Sequence, residues 1–249
     1  MKKIDAIFNS VKERYGEFSV ERVENMLKTG GHERQPAQKD AKMIMPGLTQ
    51  RAWHDPYEHA EIAPVVQAFE AGHPAIKAEF EKAWRDASDE FTNYEHFLMT
   101  KPEWQALYLF FQGSLVEKSS ETVPTAYGIL KNDAIDKGVF CPLLEAHFST
   151  LLPGTGVPSH TDLWNFTINL HVAVDIPEKC GIRVVDETRE WEEGKCLLFD
   201  YSFEHESWNN GDRPRTCLLV DLWHPDTTPP EREALMGLVP QIRRFGGLG

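Results

Sequence analysis

Apolar residues at Ile4, Ile7, Phe8 and Val11, then at Val20, Val23, Met26 and Leu27, recur at the three- and four-residue spacing of a helix face and stop at Gly30-Gly31. The polar stretch 32–40 reads as a loop or linker. Helical spacing returns over residues 62–85, in a region rich in Ala, Glu and Lys, and again over 122–131. The second half changes period. Short runs rich in β-branched and aromatic residues occupy 146–152, 166–174, 181–185, 195–199 and 216–223. Pro153-Gly154-Thr155-Gly156, Glu193-Gly194 and Asn209-Asn210-Gly211-Asp212 supply turns between them. Many short strands with regular turns predict a sandwich or barrel, and a double-sheet jelly roll is one solution. Residues 229–245 read as a helix lying on that β core. The expectation is a mainly β fold with flanking helices, divided into an N-terminal helical segment (1–45) and a β domain with helical support (46–249).

Composition narrows the function. A chain of 249 residues that is 41% hydrophobic and 11% aromatic can bury a sizeable core. Its net charge of -13 argues against nucleic acid or an anionic membrane surface as partner, because like charges repel. It leaves a small-molecule or peptide substrate open, since a few basic residues in a pocket can still capture an anion. The N-terminus leads into a charged amphipathic segment with no apolar signal core, and no run approaches the length of a membrane span. Cys141, Cys180, Cys196 and Cys217 are scattered without a CxxC pair, which fits reduced thiols of a cytoplasmic protein. Nothing in the sequence sets an oligomeric state.

The candidate chemistry is metal binding. Two imidazoles and one carboxylate on one face of a metal leave positions open for oxygen and a chelating co-substrate, the pattern of non-haem iron(II) oxygenases. In sequence it appears as His-x-Asp/Glu with a distant His. The one-residue gap works because alternate residues of an extended chain point the same way. The tripeptide occurs three times, as His59-Ala60-Glu61, His160-Thr161-Asp162 and His224-Pro225-Asp226, and a surface polar pair is the default for any one of them. Position separates them. His224 has no histidine after it, and His59 opens a helical stretch outside the β-rich half. Only His160 precedes a core strand and has a downstream partner, His205. Arg215, at the start of an apolar strand, offers a permanently charged fork for a carboxylate, although a surface ion pair is an equal reading from the residues alone. A zinc hydrolase could use the same His/Asp/His set with an open water position, but there is no HExxH. A non-catalytic cupin-type binding protein is the third reading.

Three strings then narrow the choice. They are Gly181-Ile-Arg183, Trp191-Glu-Glu-Gly194-Lys-Cys-Leu-Leu-Phe-Asp200-Tyr201-Ser202-Phe203-Glu204-His205-Glu206, and Val220-Asp221-Leu-Trp223-His224-Pro225. With them the segment 148–238 resembles the aspartyl/asparaginyl β-hydroxylase family, and Trp53 with Pro56 echoes it further upstream. The resemblance implies a double-stranded β-helix of jelly-roll or cupin type and a dioxygenase that uses Fe(II), 2-oxoglutarate and O2. It implies His160 and His205 as metal ligands with Asp162, and Arg215 with Ser149 as the clamp for the distal carboxylate of 2-oxoglutarate. It also puts His171 at the iron-bound end of that molecule.

The expected reaction is hydroxylation of an unactivated C–H bond, first of all the β-carbon of an aspartyl, asparaginyl or related amino-acid substrate. Three positions depart from the family pattern. Asp162 stands where the animal enzymes have Gly, as in bacterial relatives that keep an Asp. Asn169 stands where they carry an Arg for the substrate carboxylate, and Tyr201 replaces a frequent second Asp. Asn169, Arg183, Trp164 and Trp208 are the substrate-side candidates, core packing being the simpler role for either tryptophan alone.

Overall fold

The computed structural model describes residues 2–29, 34–94 and 104–246, with backbone alone at residue 2 and over 243–246. The predicted helix stop at Gly30-Gly31 and the start of the polar stretch at His32 lie outside them.

Helices α1 (Lys2–Tyr15) and α2 (Glu21–Thr29) open the chain, followed by strand β1 (Trp53–His54) and helix α3 (Ala63–Asp86). Next come β2 (Thr92–Asn93), β3 (Trp104–Phe111) and β4 (Ser114–Leu115). The short helices α4 (Ser119–Thr122) and α5 (Pro124–Ile129) run into a π-helical turn at Leu130–Ile135. Eight strands then follow: β5 (Ala146–Leu151), β6 (Thr155–His160), β7 (Thr167–Asp175), β8 (Cys180–Val184), β9 (Glu187–Arg189), β10 (Cys196–Phe199), β11 (His205–Asn209) and β12 (Arg215–Trp223). Helix α6 (Pro229–Gly246) closes the described chain.

The strands form two antiparallel sheets. The larger runs β1-β10-β7-β12-β5-β3-β2, with β4 also on β3, and the smaller runs β6-β11-β8-β9. From β5 to β12 the chain passes back and forth between the sheets, so that β10-β7-β12-β5 faces β6-β11-β8-β9. That connectivity is a double-stranded β-helix, the jelly roll expected from the second half of the sequence.

Period-two alternation gives the large sheet two different faces. Phe148, Leu170, Val172, Val174, Leu218, Val220 and Leu222 point outward and pack in one cluster with Val66, Phe69, Ile76 and Phe80 of α3. Helix α3 therefore covers the sheet, with Phe80 stacked on Phe148 at a centroid distance of 5.0 Å. Burying each such side chain contributes about 1.5–3 kcal/mol. The inward positions of the same strands include His147, Ser149, Asn169, His171, Arg215, Leu219 and Asp221, all of which line the interior cavity. A second cluster joins Phe8, Val11, Val23 and Met26 of the N-terminal helices to Leu235 and Leu238 of α6 and to Trp164, Phe166 and Trp223 at the end of the β core.

Two differences from the sequence reading affect the site. Thr155 and Gly156, read as turn residues, begin strand β6, whose last residue is His160. The apolar run of β3 carries no predicted element, yet it extends the sheet beside β5 and brings Trp104 to the cavity. A continuous apolar run has no period to announce it.

Candidate active site

A cavity of about 610 Å³ opens between the sheets, and His160, Asp162, His205, Ser149, His171, Arg215 and Asn169 all line it. His160 ends β6 and His205 begins β11, and the two are direct register partners. Asp162 is held by its own N–H, which donates to the Tyr201 carbonyl at 2.9 Å. Asp162 Oδ2 lies 3.9 Å from His160 Nε2 and 3.7 Å from His205 Nε2. One ligand atom from each of the three lies within 4.8 Å of the other two.

The tautomers follow from the neighbours. His160 Nδ1 is 2.7 Å from the Pro158 carbonyl, and His205 Nδ1 is 2.9 Å from the Phe203 carbonyl. A carbonyl only accepts, so both Nδ1 atoms carry the proton and both Nε2 atoms present lone pairs. Burial lowers the pKa of His160, partly opposed by the Pro158 hydrogen bond, which keeps the ring neutral as a ligand must be. Burial, with Asp221 and Asp200 adding charge repulsion, pushes Asp162 up to about 7. A cation between the three would reverse that shift.

Arg215 is 2% exposed. Its guanidinium lies 4.4 Å over the Trp191 ring, its Nη2 reaches Ser207 Oγ at 3.5 Å, and its Nε has no partner. Among the described residues no carboxylate pairs with it. Ser149 Oγ accepts from Trp104 Nε1 at 2.8 Å and also faces the cavity. His171 stacks on Trp191 at 6.0 Å and meets Phe199 edge-on at 5.0 Å, with Nδ1 unpartnered. Burial first, then the charge of Arg215, drives its pKa well down, so this imidazole is neutral. Tyr201 turns its hydroxyl to Thr167 Oγ1 at 2.7 Å.

Of the four substrate-side candidates, Asn169 alone lines the cavity. Arg183 and Trp208 neighbour inward-facing residues and so point the other way. Arg183 is bound by Glu206 at 2.7 Å and Glu204 at 3.6 Å on the outer face of the small sheet. Trp208 lies against Gly181, where an added Cβ would come within 2.5 Å of its ring. Trp164 is buried among the helices, donating to Thr167 Oγ1 at 3.0 Å and stacking on Phe166. These three belong to packing and surface ion pairs, away from the cavity.

The other two His-x-acid tripeptides do different work. His224 is fully buried, with Nε2 3.1 Å from the Thr49 carbonyl and Nδ1 accepting from the Asp226 N–H. His59 approaches His54, Nε2 to Nδ1 at 3.3 Å, while Glu61 pairs with Arg232. His54, Glu58 and His59 sit close enough for a cation, but the Arg51 guanidinium already contacts Glu58 and lies 3.5 Å from His54 Nδ1.

Sequence reasoning passed over Trp104, His147 and Ser207, and gave Trp191 no role beyond opening one of the family strings. Ser207 and His147 were reachable by counting two residues along the strand from His205 and Ser149. Trp104 comes from β3, where no local signal links it to the site, and Trp191 from the loop before β10, in the same family string as His205.

A family model described as aspartyl/asparaginyl beta-hydroxylase matches residues 70–225. The mouse (Mus musculus) protein named aspartyl/asparaginyl beta-hydroxylase is 34% identical over 190 residues, covering 76% of this chain and 25% of its own length. Human (Homo sapiens) aspartate beta-hydroxylase domain-containing protein 2 is 34% identical over 177 residues, covering 68% of this chain and 47% of its own. An ornithine lipid ester-linked acyl 2-hydroxylase from Rhizobium tropici is 31% identical over 67% of this chain and 59% of its own. The chain thus spans a quarter to a little over half the length of these relatives. Among solved structures, AviO1 from Streptomyces viridochromogenes aligns at a TM-score of 0.43 and 14% identity over 67% of this chain and 87% of that one, a likeness too slight to bear on function. On the family match and the identity to these relatives, the chain belongs to the aspartyl/asparaginyl β-hydroxylase family.

Proposed function

We propose that this chain is a hydroxylase dependent on iron(II) and 2-oxoglutarate. The observation that carries the reading is Arg215, a buried guanidinium with an unpartnered Nε and, among the described residues, no carboxylate beside it, lining the same cavity as His160, Asp162 and His205. An unpaired buried charge is costly, and a bound anion removes the cost. A zinc hydrolase has no use for such a group.

The donor set fits iron(II). Two neutral imidazoles present Nε2 and a carboxylate presents Oδ2, leaving positions for a bidentate co-substrate. His160, Asp162 and His205 would hold the metal. Arg215 would clamp the distal carboxylate of 2-oxoglutarate, with the Ser149 and Ser207 hydroxyls beside it. Trp191 fixes the plane of the guanidinium from below. His171, neutral and with a free Nδ1, is placed to hydrogen-bond the keto-acid end. With iron, 2-oxoglutarate and O2 bound, one oxygen atom goes into a substrate C–H bond and the other into succinate, with release of CO2. Phe199, Leu219 and Ile182 line the cavity as apolar wall and keep water out.

The first substrate candidate is the β-carbon of an aspartyl, asparaginyl or related amino-acid group, in line with the names of the relatives. Succinate formation from 2-oxoglutarate, dependent on iron(II) and much reduced in Arg215→Ala at limiting 2-oxoglutarate, is the expected result. Calorimetry showing no 2-oxoglutarate binding to the Mn(II)-loaded protein would overturn the reading.

A further inference from the structure

The turn between β10 and β11, residues 200–204, presents two carbonyls to the proposed metal ligands. Tyr201 O accepts the Asp162 N–H at 2.9 Å, and Phe203 O lies 2.9 Å from His205 Nδ1. Groups that hydrogen-bond a ligand from behind set its orientation and tautomer, so whatever holds this turn acts on both ligands together. The turn is closed by Asp200, whose carbonyl accepts the Phe203 N–H at 3.2 Å and whose Oδ1 accepts the Ser202 N–H at 2.9 Å. Its ends are pinned by the Asp200 N–H on the Ala52 carbonyl at 3.0 Å and by the Val185 N–H on the Glu204 carbonyl at 2.8 Å.

The middle of the turn is held from far away in sequence. Pro36–Gln38 form a single turn of 3-10 helix inside the polar stretch that reads as a loop. Ala37 O accepts the Glu204 N–H at 2.6 Å, and Gln38 Nε2 donates to Ser202 Oγ at 2.8 Å. Gln38 and Ser202 are both fully buried, whereas Gln and Ser are mostly exposed in folded proteins. Gln38 Oε1 accepts the Gln35 N–H at 3.1 Å, which leaves the NH2 end of the amide to face Ser202. The amide thus ties its own short turn to the turn that backs the ligands. Gln38 lies outside residues 70–225, which the family model matches.

We propose that Gln38 is a positioning residue of the metal site: through Ser202 it holds the 200–204 turn, whose carbonyls orient Asp162 and His205. This rests on the metal assignment within the hydroxylase reading. Losing the bond frees the turn between its pinned ends, and the Tyr201 and Phe203 carbonyls shift with it.

The test compares the whole parent chain with Gln38→Met, Ser202→Ala and the double variant. Gln38→Met keeps the length of the side chain and removes the donor. Calorimetry gives Mn(II) affinity, and the visible spectrum of the Co(II)-loaded chain reports the geometry of the ligands. Substituting a group that supports a ligand from behind costs 10- to 100-fold in metal affinity, and Gln38 stands one bond further out. Each single variant is therefore expected to bind Mn(II) about tenfold more weakly and to shift the Co(II) bands. The double variant should lose no more than the weaker single, because both act through one bond. Phe80→Ala, which loosens the fold away from the site, should lower Tm with Mn(II) affinity and Co(II) bands unchanged. That pattern in Gln38→Met, parent-like affinity in either single variant, or losses that add in the double overturns the inference. Should Gln38→Met fail to fold, Ser202→Ala decides the matter alone. Failure of the parent chain to bind Mn(II) is the separate failure of the metal assignment, and the inference falls with it.

Discussion

His160 and His205 are register partners on adjacent strands with ring centroids 4.2 Å apart, and each hydrogen-bonds the backbone carbonyl two residues before it. The sheet pairing sets their separation and the carbonyls set which nitrogen is bare, so the proposed metal site is organised before any metal arrives. Replacing His205 by Ala should therefore abolish measurable iron(II) binding in calorimetry and leave the far-UV circular dichroism unchanged. Binding within tenfold of the parent would show that the three groups do not act together.

The proposed clamp for the distal carboxylate rests on Arg215 lying 4.4 Å over Trp191. Removing a charge-assisted hydrogen-bond pair costs about 1.5–3 kcal/mol. Arg215→Ala should thus raise the KM for 2-oxoglutarate roughly 10- to 150-fold. Arg215→Lys keeps the charge but loses the planar fork, so an intermediate KM is expected. Steady-state succinate release at varied 2-oxoglutarate measures both.

The pH dependence follows from Asp162. Burial raises it to about 7 in the metal-free protein, so it is protonated below that pH and must lose the proton to bind a cation. Metal affinity is expected to fall about tenfold per pH unit below 7 and to level off above it. The same sign governs stability: a carboxyl whose folded pKa is raised makes the metal-free fold less stable as pH climbs from its ordinary value towards 7, and bound metal removes that loss. Titrating Mn(II) affinity between pH 5.5 and 8 checks the slope. Asp162→Asn should flatten it.

Arg183 supplies a negative control. Its ion pairs to Glu206 and Glu204 lie on the outside of the small sheet, away from the cavity. Arg183→Ala should leave kcat and the KM for 2-oxoglutarate within about twofold, because surface pairs contribute about 0–1 kcal/mol. A tenfold loss of turnover without loss of fold would return Arg183 to the site.

The fold depends on α3 covering the sheet. Phe80→Ala removes a ring stacked on Phe148 and should cost about 3–5 kcal/mol, visible as a fall in Tm of several degrees. Iron(II) affinity of the folded fraction should not change, since Phe80 packs on the outer face of the large sheet, away from the cavity lined by His160, Asp162 and His205.

The sequence by itself determined a good deal. Helical spacing marked α1, α2, α3 and α6, and five of the jelly-roll strands stood out as β-rich runs. The His160-Thr161-Asp162 tripeptide, His205 and Arg215 were singled out from local spacing and strand position, and the family strings added Ser149 and His171. Such features are local: a period, a tripeptide, a residue at a strand's start. Only the tertiary structure decided direction. Asn169 faces the cavity while Arg183 and Trp208 do not, and a single residue of register along a strand decides between the two faces. The meeting of Trp191 and Ser207 at Arg215 is equally invisible in one dimension, because their segments come together only when the strands cross between the two sheets. A chain's period says that one face will be buried; the packing of the sheets says against what.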